Sequence, residues 1–494
     1  MPSVNPCCIQ VLWLLILWSS ILHADASRPN VLLIWVDDLR PALGCYGDPL
    51  AKTPHMDRLA SRGRLFQKAY CNQAVCGPSR ASMMTGRLPD HIRVWHNRDR
   101  FRDHQPDLLT LPQYFRHHGY RTVSLGKVFS GNARELDPIS WSEPEILQQP
   151  GWTTYRLKKP GGPTKGKPTE QTEVTDDAYP DGQLAELAID KLKRLGQETQ
   201  PFFLAIGFFK PHLPFNAPKK YWDMHESAAF ALGEECMAPS EVFPWTYSKQ
   251  MELGGYQGVP GNEAVSFDQA QHLRHGYYAC VSYVDAQIGR VLDALDRLEA
   301  GGNTIVLLLG DHGFSLGEAE HWCKKTNFEL DTHVPLIGFY PGMRYPGVKT
   351  KAMVELVDIY PTLVEWAGLP KPADLEGTSF MQALEEPKAK ARAMVLSQHS
   401  RPWAKGEPLV MGYSIRTAEH RYTRWVEWRS HKRLAEELYD YNSIESVRTS
   451  GGYFIERQNL LQVPSYHETG QQLREAMDLT LSTRVGLLSI PPQP

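Results

Sequence analysis

The chain has 494 residues, 42% of them hydrophobic and 10% aromatic, with 38 Gly and 37 Pro. That composition excludes collagen-like and disordered chains, and the length corresponds to about three average domains, or fewer of the larger α/β kind. Lys and Arg number 53 against 56 Asp and Glu, a formal charge of −3, so no bulk attraction to nucleic acid is expected.

Cys7 to Leu22 (CCIQVLWLLILWSSIL) is the one long apolar run, and its 16 residues are short for a membrane span. Ala24 and Ala26 supply small residues for signal cleavage before Ser27, although no Lys or Arg precedes the run. An uncleaved anchor is the alternative. Residues 1–26 therefore read as a signal peptide, and the protein as exported, periplasmic or secreted, with no membrane attachment after cleavage. The sequence contains no Asn-x-Ser/Thr acceptor, which argues against a lysosomal route.

Residues 31–36 (VLLIWV) are apolar at every position, the pattern of a central strand covered on both faces. A short strand is expected over 66–70, and a helix from Ser79 to Thr85 after Pro78, a favoured first-turn residue. Leu111, Tyr114, Phe115 and His118 have helical spacing, and 121–126 (RTVSLG) reads as a strand. Residues 131–180 are rich in Pro, Gly, Lys and Thr and read as long loops. A helix is marked by Leu184, Leu187, Ala188, Leu192 and Leu195, followed by an apolar strand over 201–209 and a long helix over 267–299. The next strand, 304–310 (TIVLLLG), ends at Asp311-His312. This alternation predicts an α/β fold with a large, mostly parallel central sheet flanked by helices. Residues 384–392 (LEEPKAKAR) resemble a boundary, 411–428 a hairpin, and 467–479 a late helix. The expected division is a larger α/β domain over 27–390 and a smaller C-terminal α+β domain over 391–494.

Six cysteines remain after signal cleavage, scattered and without a CxxC pair, so neither a disulfide framework nor a structural zinc site is expected. Two strands end in metal-ligand types, at Asp37-Asp38 and Asp311-His312. Ligands collect beyond the carboxyl ends of strands in open α/β sheets, and hard carboxylates favour Ca²⁺ or Mg²⁺. Adjacent strand residues point to opposite faces, so Asp37 and Asp38 share an ion only if the strand breaks there. Taken alone, the Asp pair is more often a cap or solvated turn.

The segment Cys76-Gly77-Pro78-Ser79-Arg80, followed by Thr85-Gly86, carries the strongest signal. With RPNVLLIWVDDLRP, GKVF, KPHLPF, THVPLI and MGYSIRTAEHRYT, it resembles the type I sulfatases of the alkaline-phosphatase-like superfamily, and within them the iduronate-2-sulfatases. The resemblance covers most of residues 28–430. It implies that a formylglycine-generating maturation enzyme oxidises Cys76 to formylglycine, an aldehyde that hydrates to a gem-diol. It implies a Ca²⁺ site made by Asp37, Asp38, Asp311, His312 and modified Cys76. Arg80 would hold the formylglycine and sulfate charge, Lys127 and Lys324 would grip sulfate oxygens, and His212 would face the ester oxygen. Each role suits the chemistry, because sulfate transfer places negative charge on nonbridging and leaving oxygens. Singly, Lys127 reads as a solvated charge and His212 as a structural imidazole, and only its offset of 13 from Asp311 favours Lys324 over its neighbour Lys325.

The implied substrate is a sulfated oligosaccharide or polysaccharide containing uronic acid. Two rival readings remain, a phosphonate or phosphate monoester hydrolase and a non-catalytic sulfated-glycan-binding protein. The second is raised by one departure. The related sequences read GKVFH, whereas here Ser130 follows GKVF, and the missing His is the implied acceptor of the gem-diol proton.

Overall fold

The computed structural model describes residues 28–486, apart from 130–135, 148–152, 158–164, 234–236, 247–251, 262, 390–391, 444–445 and 449–453. The signal segment, Ser130 and Cys236 lie outside the described residues. The main sheet has eight strands: β1 (Asn30–Val36), β2 (Arg64–Tyr70), β3 (Arg121–Gly126), β4 (Phe202–Phe208), β5 (Thr304–Gly310), β6 (His333–Val334), β7 (Leu336–Phe339) and β8 (Lys349–Glu355). Their order is β6-β2-β7-β5-β1-β4-β3, with β8 also paired to β2. Six strands run in one direction, and only β6 and β7 oppose them. The expectation of a mostly parallel sheet holds.

The reason β1 is apolar throughout is visible in its packing. Leu32, Ile34 and Val36 join Leu204, Ile206 and Phe208 in one layer, with α2 (Pro180–Leu195) and α3 (Phe267–Asp296) above them. Val31, Leu33 and Trp35 join Phe203 and Ala205 in the opposite layer, where α1 (Cys76–Thr85) contributes Met83 and Met84. All six side chains are fully buried. Each burial of this kind stabilises by about 1.5–3 kcal/mol.

α1 begins at Cys76, three residues before the expected start, because Val75 is extended (φ −153°) and the chain turns helical directly after it. Pro78 then occupies the first turn, where a missing N–H costs nothing. Residues 131–180 are not all loop either. Thr169–Thr172 pairs in parallel with Phe215–Pro218, a strand too short and too polar to show in the sequence pattern.

A second sheet follows, an antiparallel meander of β9 (Val395–Arg401), β10 (Val410–Arg416), β11 (His420–Glu427) and β12 (Arg433–Asp440). The expected hairpin is β10–β11. The late helix is α4 (His467–Thr480), whose Leu473 and Met477 cover Tyr413, Ile415 and Tyr422. Two buried carboxylates join this part to the main sheet. Glu329 accepts from Arg416 Nε at 2.9 Å, Arg421 Nη2 at 2.7 Å and the Tyr70 hydroxyl at 2.8 Å. Glu355, at the end of β8, accepts from Arg392 and from both terminal nitrogens of Arg484 at 2.7 Å.

Candidate active site

β1 and β5 are parallel neighbours with Val36 opposite Gly310, so Asp37 and Asp311 leave the sheet side by side. The required break occurs at Asp38, whose φ of +61° lies in the left-handed region. Both aspartates consequently face one point. Asp37, Asp38, Cys76 and His312 each offer a ligand atom there, all within 4.8 Å of one another and all buried. Cys76 Sγ lies 3.2 Å from His312 Nε2 and 4.0 Å from Asp38 Oδ1. The His312 Nδ1 is 2.8 Å from the Gly313 carbonyl, which leaves Nε2 turned toward the cluster.

Asp311 stands beside these four. Its Oδ2 accepts from Arg80 Nε at 2.8 Å, and its Oδ1 accepts from the backbone N–H of Asp38 (3.1 Å) and His312 (3.0 Å). Arg80 lies one helical turn beyond Cys76 and is fully buried. It also donates to Asp37 Oδ1 at 3.2 Å and to the carbonyls of Lys127 and Val128, with Trp35 stacked 4.9 Å from its guanidinium. Gly77 sits at a close approach: a Cβ there would lie 3.0 Å from Asn97 Cα, while its N–H donates to Asn97 Oδ1 at 2.9 Å.

The expected cations converge on the same carboxylates. Lys127 Nζ donates to Asp37 Oδ2 at 2.5 Å, and Lys324 Nζ donates to both Asp38 oxygens at 2.8 Å. Burial works against both ammonium groups, but Asp37 and Asp38 more than offset it and raise them above their ordinary range. Conversely, burial works against the Asp37 carboxylate, yet Lys127, His212 and Arg80 together hold it well below its ordinary value. Burial pushes the Cys76 thiol up, reinforced by Asp37, so at neutral pH it is a thiol rather than a thiolate nucleophile.

His212 Nδ1 lies 2.6 Å from the Leu213 carbonyl, and its Nε2 faces Asp38 Oδ2 at 3.9 Å. Burial lowers its pKa. All nine residues singled out in the sequence thus share one buried neighbourhood. A tenth was missed. Glu252 lies 3.1 Å from Lys324 Nζ and 3.5 Å from His212 Nε2, and burial against it is outweighed by Lys324, which holds it low. It reaches the site from an irregular segment, and no periodicity or motif marks it.

Two buried carboxylates this close demand positive charge. Hard oxygens of Asp37, Asp38 and Asp311 with one imidazole fit Ca²⁺ or Mg²⁺.

The comparisons decide the family. The sulfatase family profile matches residues 29–369, and that of the N-sulphoglucosamine sulphohydrolase C-terminal region matches 317–480. The chain belongs to the sulfatase family. It is 34% identical to human iduronate 2-sulfatase, covering 93% of this chain and 96% of that one. In fold, it is similar to the phosphonate monoester hydrolase of Agrobacterium radiobacter, with a TM-score of 0.73, 23% identity and coverage of 92% and 95%. It is also similar to a protein solved with its substrate D-glucosamine-2-N,6-O-disulfate, with a TM-score of 0.71, 20% identity and coverage of 94% and 100%. This sulfatase is accordingly a sulfuric ester hydrolase. Among the described residues, no helix is long and apolar enough to cross a membrane.

Proposed function

We propose that this sulfatase removes sulfate from a uronic-acid-containing glycan, in the manner of the iduronate 2-sulfatases. The observation that carries this reading is the convergence of Cys76, Asp37, Asp38 and His312 within 4.8 Å, ringed by buried Arg80, Lys127 and Lys324. Asp37, Asp38, Asp311 and His312 are the residues to hold Ca²⁺, which would polarise the nucleophile and screen the sulfate charge. Oxidised to formylglycine, Cys76 would supply that nucleophile.

The remaining work falls to side chains. Arg80 is locked by Asp311, Asp37 and two carbonyls, so it fixes the position of residue 76 and supplies charge without reorganising. Lys127 and Lys324 stand at the two aspartates as preorganised donors for sulfate oxygens. In a dry site, such charges act far more strongly than in water. His212 donates through Nδ1 to the Leu213 carbonyl, which turns Nε2 toward the departing sugar oxygen. Nε2 gives a proton there only from the imidazolium, the form that burial opposes and neighbouring Asp38 and Glu252 favour. Glu252 pairs with both Lys324 and His212 and so sets the spacing between sulfate grip and acid.

The test is hydrolysis of defined sulfated oligosaccharides and matched phosphate esters by one preparation, before and after chelation. Release of sulfate from 2-sulfated uronates, lost on chelation and restored by Ca²⁺, is expected. Faster release of phosphate than sulfate would overturn the assignment.

A further inference from the structure

β9 of the second sheet ends beside the active site in a group of polar atoms that the folded chain leaves unsatisfied. The His399 side chain is fully buried, yet neither ring nitrogen has a hydrogen-bond partner among the described residues, and Arg401 Nη1 is likewise buried and unpartnered. Arg401 is held in place by its other nitrogens, with Nε on the Trp245 carbonyl at 2.7 Å and Nη2 on the Lys325 carbonyl at 2.7 Å. Lys325 follows the sulfate-facing Lys324 directly. Cys323 and Lys325 both adopt left-handed backbone (φ +77° and +86°), a strained turn that aims successive lysines in different directions. Lys324 reaches Asp38, whereas Lys325 Nζ lies 4.5 Å over the ring of Trp403. His96 packs against the same indole with tilted rings 4.2 Å apart, and it precedes Asn97, the residue bonded to Gly77 beside Cys76. The cluster therefore borders the reacting position.

Buried donors without partners are costly in a folded protein and call for an explanation. Here the charged side chains around them carry a common sign. Arg401 and Lys325 are cations, and the ring of His399 lies among them with His321. The nearby acids are engaged elsewhere: Asp331 binds Ser315, His321 and Thr326, and Glu252 binds Lys324. Burial, then the charges of Arg401 and Lys325, push the His399 imidazole well below its ordinary value. An anion entering the cluster would satisfy the open donors and relieve that repulsion.

We propose that His399, Arg401 and Lys325 form a second oxyanion subsite, which takes the other negatively charged group of the sulfated sugar while Trp403 packs against a ring. The proposal rests on the glycan-sulfatase reading above. The group is a carboxylate on the same sugar or a sulfate on its neighbour, the two sharing trigonal or tetrahedral oxyanion chemistry.

Calorimetric binding to the Cys76→Ala protein separates this proposal from turnover. The probes are a methyl 2-sulfo-iduronoside, its carboxyl-reduced counterpart, and that reduced sugar linked to N-sulfoglucosamine. One of the two doubly charged probes is expected to bind about 10- to 100-fold tighter than the singly charged one, the scale of one or two charge-assisted hydrogen bonds. Adding Lys325→Met or His399→Gln should shrink that preference to within about threefold, and the probe affected identifies the source of the charge. If His399→Gln does not fold, Lys325→Met still decides, because Lys325 is half-buried rather than in the core. No preference in the parent, or an undiminished preference in Lys325→Met, overturns the subsite. Failure of the hydrolase reading shows differently, as absence of sulfate release by the protein that retains Cys76.

Discussion

Ser130 stands where the resemblance to iduronate 2-sulfatases implies a histidine, and the expected consequence is chemical rather than architectural. A serine hydroxyl is a poor base near pH 7, whereas an imidazole titrates close to it, and general-base help contributes about 10²–10⁴-fold. Loss of that help should slow the return of the enzyme to its starting state more than the cleavage of the ester. Rapid mixing is expected to show a burst of alcohol product followed by slow turnover, and Ser130→His should accelerate the slow phase only. A linear time course that Ser130→His leaves unaltered would mean that another group already serves as the base. At this scale the sequence was most informative for residues embedded in a motif. Cys76 and Arg80 are separated by one helical turn, and Asp37-Asp38 ends an unmistakable strand. Glu252 had no such frame, since it enters the site through tertiary folding alone.

At the scale of elements, hydrophobic runs were legible because the strands are covered on both faces. β1, β3, β4 and β5 stand within a residue or so of their expected limits. What the pattern did not reveal was local backbone geometry. The strand break at Asp38 was inferred as a requirement, but the left-handed turns at Cys323 and Lys325 leave no trace in residue type. The polar strand Thr169–Thr172 was read as loop for the same reason, because only its partner at Phe215–Pro218 makes it a strand. α1 starts early because the extended Val75 hands the chain directly to Cys76, and this places Cys76 at a helix N-terminus. Unpaired N–H groups there favour negative charge developing nearby.

Across the whole molecule, the second sheet is fastened to the first by ion pairs that composition does not disclose. Glu355 is fully buried and held at about 2, because Arg392 and Arg484 outweigh the cost of burial. Its folded pKa lies below the unfolded value near 4.5, so its stabilisation is complete above that pH and fades as pH falls toward 2. Asp358, which shares Arg392, is pushed up by burial to about 6, and its opposite contribution makes the comparison with a variant necessary. Glu355→Gln should lower stability at pH 7 by about 3–5 kcal/mol, the cost of breaking a buried pair. In chemical denaturation, the gap between variant and parent should close between pH 4.5 and 2; a gap that is constant with pH would show that the clamp is not ionic. The account as a whole depends on residue 76. Sulfate release from a 2-sulfated uronate oligosaccharide should be measured with the parent and with Cys76→Ala, both confirmed folded. The account predicts sustained release by the parent and essentially none by Cys76→Ala, and equal rates for the two proteins would contradict it.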